Sequence, residues 1–153
     1  MANGVQTAAG SKIYIGTTNG NTMADTFTEI GEVTNIGEFG RMYQLITHSS
    51  LGNRNVQKFK GQRDDGDITL QLGQDMTDTG QAALDTALDS DFDYSFKIEL
   101  NDESTTSGSH PTYYFFRAKV MSFRTNIGGP NDIVKASVQV AIKSGSITRI
   151  TAT

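Results

Sequence analysis

Phe92-Asp93-Tyr94-Ser95-Phe96-Lys97-Ile98-Glu99-Leu100 alternates large apolar and polar side chains without a break. A strand turns successive side chains to opposite faces, so Phe92, Tyr94, Phe96, Ile98 and Leu100 share one face and Asp93, Ser95, Lys97 and Glu99 the other. The expectation is a half-buried strand, and two further windows repeat the pattern. Ile68, Leu70 and Leu72 oppose Asp67, Thr69 and Gln71; Val134, Ala136, Val138, Val140 and Ile142 oppose Lys135, Ser137, Gln139 and Lys143. From Thr112 to Arg124 the chain opens with Tyr113-Tyr114-Phe115-Phe116, apolar on both faces, which predicts a central strand covered on both sides. Weaker strand signals fall at Lys12–Gly16, Phe27–Val33, Met42–His48, Val56–Lys60 and Ile147–Ile150.

Between these windows lies turn chemistry: 16 glycines against two prolines, Pro111 and Pro130, among many Ser, Thr and Asn. The fold class is therefore mainly β. One helix interrupts it, from Asp78 to Leu88. Asp78 as N-cap and Gln81 three residues later resemble a capping box, and Leu84, Ala87 and Leu88 form a narrow apolar stripe suited to a helix flanking a sheet. Thr28-Glu-Ile-Gly-Glu-Val33 is echoed at once by Thr34-Asn-Ile-Gly-Glu-Phe39, which predicts a strand, a glycine kink and a second strand at a sheet corner. The segment 37–55 has only Phe39, Met42, Tyr43, Leu45, Ile46 and Leu51 as large apolar residues and ends in Ser49-Ser-Leu-Gly-Asn-Arg54-Asn. It is expected to be a long hairpin tip that one domain alone does not bury.

A chain of 153 residues is the common size of one domain and buries roughly 70% of the surface it exposes unfolded, enough for a core without disulfides or a structural metal. Zero cysteines remove thiol nucleophiles and cysteine-built zinc sites. With 13 Lys and Arg against 17 Asp and Glu, the net charge of −4 gives no basic footprint for gripping nucleic acid. The start, Met1-Ala-Asn-Gly-Val-Gln-Thr-Ala-Ala-Gly10, has neither a cationic run nor an apolar one, so the expectation is a chain without a secretory signal, made in the cytoplasm. No stretch approaches the roughly 18 apolar residues of a membrane span.

Catalytic motifs are missing. There is no Gly-x-Ser-x-Gly, no phosphate loop, and His48 and His110 stand in polar contexts that predict solvated surface residues. Asp89, Asp91 and Asp93 alternate without the glycine and distal glutamate of a calcium loop. In Arg63-Asp64-Asp65-Gly66-Asp67, Asp-Gly between two strand patterns reads as a hairpin turn. Paired acids for glycoside hydrolysis lack aromatic platforms, since the chain has no Trp and its other aromatics fall mostly on apolar faces. The expectation is a protein that is not an enzyme and uses no cofactor or metal. A small β-sandwich binding module is the rival class.

Taken in order, Ser11-Lys-Ile-Tyr-Ile-Gly16, Thr28-Glu-Ile-Gly-Glu-Val33, Gly37-Glu-Phe-Gly40, Lys58-Phe-Lys-Gly-Gln-Arg-Asp-Asp-Gly66, Asp75-Met-Thr-Asp-Thr-Gly-Gln-Ala-Ala-Leu84 and Phe92 to Asp102 resemble the tail tube (major tail) proteins of long-tailed, non-contractile bacteriophages and of phage-derived gene transfer agents. The resemblance runs from about Ser11 to Ile142 and departs from the family in the loops Thr17–Thr26 and Ser104–Ser109. It implies one domain, 1–153, with an N-terminal arm over 1–11 and an assembly loop over about 37–55. The implied fold is a β-sandwich or small barrel with one flanking helix. Its subunits close into hexameric rings, each lending strands to an intersubunit barrel, and the rings stack into a tube that carries DNA into the host cell.

The partners implied are further copies of the chain, a tape measure protein, a tail terminator and distal tail or baseplate proteins. DNA would pass without sequence-specific contact, and the chain itself would not enter a membrane. The location implied is the virion tail, assembled in the host cytoplasm. Residues expected to face the lumen are Asp67, Thr69 and Gln71, then Lys135, Ser137 and Gln139, because polar strand faces hold water and bind phosphate weakly. Those expected between rings are Tyr43, Leu45, Ile46, Leu51 and Arg54. The alternative within this class is a tail terminator or distal ring of the same fold.

Overall fold

The computed structural model describes residues 5–153. Ten strands and one α-helix follow in the order β1 (Lys12–Ile15), β2 (Thr28–Glu29), β3 (Val33–Asn35), β4 (Met42–His48), β5 (Gln57–Asp64), β6 (Asp67–Gly73), α1 (Thr79–Leu88), β7 (Tyr94–Glu99), β8 (Tyr113–Asn126), β9 (Lys135–Ile142) and β10 (Thr148–Ile150), with a single 3-10 turn at Thr22–Ala24 between β1 and β2. Eight strands form one antiparallel sheet with the order β2-β1-β7-β8-β9-β6-β3, and β10 pairs with the start of β8. The other two, β4 and β5, pair only with each other.

That order forces the sheet to curl. Its edge strands β2 and β3 are consecutive in the chain, with only Ile30, Gly31 and Glu32 between them. Stepping from Glu29 to Val33 covers at most roughly 14 Å, whereas seven flat strands would hold their edges roughly 29 Å apart. The sheet therefore bends into a half-barrel whose edges meet at a seam. Of the two architectures expected, the half-barrel stands nearer the small barrel than the sandwich, since the main sheet is one curled sheet rather than two stacked ones.

The core fills the inside of the curl. Ile13 and Ile15, Leu70 and Leu72, Phe96 and Ile98, Phe116 and Ala118, and Val138 and Val140 are all buried on one face of the sheet. Paired across β7 and β8, Phe96 and Phe116 stack with ring centroids 5.4 Å apart. The strand β8 is central as expected: Phe116 faces the core, while Phe115 on the reverse face is covered by the rings of Phe27 and Tyr113. From the other side Leu84 and Ala87 of α1 enter the same core.

The N-terminus of α1 also latches the seam. Asp78 accepts hydrogen bonds from Gln81 N at 2.9 Å, as an N-cap does, and from Gly31 N at 3.1 Å. Gln81 does not complete the expected capping box. Its side-chain amide instead donates to Gly31 O on one side of the seam and to Gly73 O on the other, at 3.1 and 3.0 Å. Its Oε1 accepts from Asp75 N. The approach is close because residue 80 is glycine: a Cβ there would lie 2.1 Å from Glu29 O and 2.6 Å from Ile30 Cα.

Several boundaries differ from the sequence reading. The expected strand Phe27–Val33 is two strands on opposite edges, divided by the seam turn in which Glu32 has φ 59. Phe92 is exposed and outside β7, because the chain leaves α1 through a turn and joins the sheet only at Tyr94. Asp65-Gly66 does make a turn, with Gly66 at φ 74, but β5 and β6 do not pair across it. It passes the chain from one sheet to the other. Of the N-terminal arm 1–11, residues 1–4 lie outside the described part; from Ala8 the chain is tied down through Ser11 N to Ala8 O and Asn101 Nδ2 to Ala9 O.

Two substitutions test the latch. Leu84→Ala should cost roughly 2–5 kcal/mol in chemical denaturation, and a loss under about 0.5 kcal/mol would place that side chain at the surface. Gly80→Ala favours an isolated helix by roughly 1 kcal/mol, yet here it should destabilise the protein because the methyl group meets backbone.

Candidate functional site

The hairpin of β4 and β5 projects from the body as an arm. Every residue of β4 is exposed, and in β5 only Gly61 and Arg63 are partly covered. The pairings Leu45 with Lys60, Ile46 with Phe59 and Thr47 with Lys58 set its two faces. Tyr43 shares the face of Leu45 by simple alternation, and an extra residue in β5 between Lys60 and Arg63 sets Arg63 opposite Tyr43. One face thus carries Tyr43, Leu45, Thr47, Lys58 and Lys60, with the Lys60 ammonium 5.2 Å from the Tyr43 ring centroid. The reverse face carries Ile46 and Phe59. Leu51 and Arg54 lie exposed in the connection at the tip.

The five residues expected to reach between subunits are therefore all on this arm and in water. Its boundaries are not those expected from sequence. The stretch 37–40 belongs to the body, where Phe39 packs edge-on against Tyr114 at 5.2 Å and beside Phe116, while the arm continues to Asp64. Val56 and Phe59, each 53% exposed, belong with the other apolar arm residues. The alternation at Val56–Lys60 marked the return strand but not its partner.

A buried ion pair fixes the root. Arg63 Nε and Nη2 donate to the two oxygens of Asp65 at 2.7 and 2.9 Å, and the Asp65 side chain is fully covered. Gly145 N donates to the same carboxylate at 3.0 Å. The hydrogen bonds from Arg63 hold the Asp65 carboxyl below its usual range against the opposing effect of burial. Asp64 Oδ1 accepts from Gly66 N and shapes the turn. The acids of this cluster thus serve turn and root, and Asp67 accepts from Gln139 Nε2 at 3.0 Å.

On β6 and β9 the six expected lumen residues share one face. Thr69 pairs with Gln139, Gln71 with Ser137 and Gly73 with Lys135, beside Asp67. Ser137 is half-buried and the other five are exposed. The matching face of β7 is not open. Ser95 is fully buried there, because the Arg117 guanidinium donates to Ser95 Oγ and to the carbonyls of Thr18, Asn19 and Asp93, clamping the loop after β1 over the sheet. Lys97 lies among aromatic rings, with Nζ 4.3 Å from the Tyr14 centroid and within 5.3 Å of those of Phe27 and Tyr113. Tyr14 donates to Glu99, and burial, with the charge of Glu99, pushes its phenol up to about 12. Period-two alternation carries no signal for these contacts, which come from distant loops.

His48 is exposed on the arm, but His110 is half-buried and stacks on Tyr113 at 5.9 Å. Among the described residues no three of His, Asp and Glu are placed to hold a metal ion, and no helix is long and apolar enough to cross a membrane.

No family model matches the sequence, and no curated protein matches it. Solved structures share the fold. A chain of the anti-feeding prophage baseplate superposes with a TM-score of 0.73 at 14% identity, over 99% of this chain and 98% of that one. A chain from the sheath/tube terminator of an extracellular contractile injection system gives 0.71 at 15% identity, over 99% and 100%. The SPP1 tail tube gives 0.62 at 13% identity, over 92% and 77%. This chain has the tail-tube fold.

The root pair makes stability depend on pH in a stated direction. Because the Asp65 carboxyl is held below its unfolded value near 3.9, its contribution is present above that pH and is lost as pH falls through the folded value. Asp65→Asn should cost about 1.5–3 kcal/mol at pH 7, and the gap from wild type should narrow below about pH 4 in urea titrations. A gap that stays constant with pH would show that the charge of Asp65 does not stabilise the root.

Proposed function

We propose that this chain is a structural subunit that assembles with copies of itself into the tail tube of a phage-like particle. The observation that carries the reading is the arm. A lone two-stranded hairpin is marginal in water, yet this one exposes Tyr43, Leu45, Ile46, Val56 and Phe59 together. Such a surface suits a protein partner, and the shared fold of tube, terminator and baseplate chains supports a further copy of the same protein. Subunits close into hexameric rings, and the rings stack.

The polar face of β6 and β9 lines the bore of that tube, with Asp67, Thr69, Gln71, Lys135, Ser137 and Gln139 holding water. A subunit charge of −4 becomes −24 in a ring of six, so the wall repels a polyanion and DNA slides through without being held. The role is conduit rather than catalyst. The tube sits in the particle's tail, is assembled in the host cytoplasm, encloses a tape measure protein, and meets a terminator at one end and a distal tail or baseplate ring at the other. A sheathless tail of a phage or a gene transfer agent is the setting that the sequence resemblance supports. A second reading has its own support: the match to a sheath/tube terminator chain spans that chain completely, and a terminator stops at one ring.

Electron microscopy of the concentrated protein separates these readings. Stacked tubes with Asp67, Thr69 and Gln139 on the bore wall are expected. A variant in which residues 44–60 are replaced by a short turn should remain a folded monomer and form none. Single rings would favour the terminator, and normal tubes from the shortened variant would overturn the role of the arm.

A further inference from the structure

Charge is divided unevenly along this chain. Residues 41–64, the arm and its root, hold five cations (Arg41, Arg54, Lys58, Lys60 and Arg63) and one carboxylate, Asp64. Residues 75–93, which include α1, hold six carboxylates and neither Lys nor Arg. Three of the six are engaged within the fold, Asp75 with Thr77, Asp78 at the seam and Asp93 with Lys119 at 2.6 Å. Asp85, Asp89 and Asp91 are exposed, and among the described residues no cation lies within 4.0 Å of them.

Their placement opposes the helix that carries them. Ala82, Asp85, Thr86 and Asp89 form the exposed stripe of α1 and its C-cap, so two like charges stand one turn apart. Both are near the C-terminal end, where the helix dipole disfavours anions, and the last turn has no basic residue to offset them. Phe92, just beyond, is 69% exposed. A surface that costs the monomer stability is expected where an outside partner compensates it.

The chain itself has the complement. Lys58 and Lys60 stand two residues apart on one face of β5, roughly 6.6 Å, and Asp85 and Asp89 stand four residues apart on one face of α1, roughly 6 Å. The lysines' partners on β4 are Thr47 and Leu45, with Tyr43 beside Leu45 on the same face. Within one subunit the two surfaces are not paired: neither Lys58 nor Lys60 lies within 4.0 Å of the Asp85 or Asp89 carboxylate.

We propose that the arm of one copy docks on α1 of a neighbouring copy, with Lys58 and Lys60 on Asp85 and Asp89 and the apolar arm residues covering Phe92. The proposal rests on the assembly reading above and names the surface that receives the arm. Because donor and acceptor surfaces differ, the contact is heterologous and repeats from copy to copy.

Charge exchange in the full chain tests it, read by sedimentation and negative-stain microscopy. Lys58→Glu with Lys60→Glu, and separately Asp85→Lys with Asp89→Lys, should each raise the concentration needed for assembly at least tenfold. Combining all four substitutions should restore assembly. The helix variant should also unfold at a higher temperature than wild type as a monomer, since it removes the like-charge and dipole conflict; a lower midpoint would overturn the argument from helix electrostatics. The milder Asp85→Asn with Asp89→Asn should weaken assembly in the same direction. If the arm variant fails to assemble while both helix variants assemble as wild type, the docking surface is wrong and the assembly reading stands. Wild-type behaviour of every variant would overturn the docking and the role of the arm together.

Discussion

One glutamine amide holds the two edges of the main sheet together. Gln81 reaches from the first turn of α1 to Gly31 O on one side of the seam and Gly73 O on the other, while Asp78 holds Gly31 N. Even so β2 and β3 remain short edge strands, the kind that recruit other chains, and the latch fixes the turn between them to the end of β6. With it, the curl is closed enough for Leu84 and Ala87 to seal the core from above and Phe39 from below. Gly80 permits the approach and Glu32 accepts a left-handed turn to make it. Helix propensity and backbone comfort are both given up locally for closure of the whole.

A body closed in this way buries its core within one chain, which makes its open surfaces informative. The reverse face of β7 is sealed by Arg117 and by the aromatic surroundings of Lys97. The polar face of β6 and β9 is left wet, and the arm is left bare. Its direction is nonetheless set, because Arg63 on the arm is bound bidentately to Asp65 buried in the body. An arm that is uncovered but aimed suits the docking role proposed for it.

The sheet was legible because its period is local. The side chains Ile68, Leu70 and Leu72, and Val138 and Val140, alternate within a few residues, and the doubly apolar start of β8 announced a central strand. The arm's exposed residues were legible as apolar groups in a segment too polar to bury them. What could not be read depended on distant neighbours. The two roles open to Gln81, reciprocal cap or seam latch, look identical in sequence, and only the meeting of β2 and β3 decides between them. Phe39 and Phe59 are equally apolar, yet one plugs the core and the other lies in water. Ser95 looks like an exposed strand residue until the loop after β1 is laid over it.

On this reading the core closes within one subunit and assembly covers the arm. Amide hydrogen exchange on the free and assembled protein compares these directly, strand by strand. In the free subunit, amides of β6, β8 and β9 should exchange slowly and those of β4 and β5 fast; on assembly the arm should become strongly protected while the main sheet changes little. An arm with equal protection in both states, or a main sheet that becomes protected only on assembly, would contradict the account.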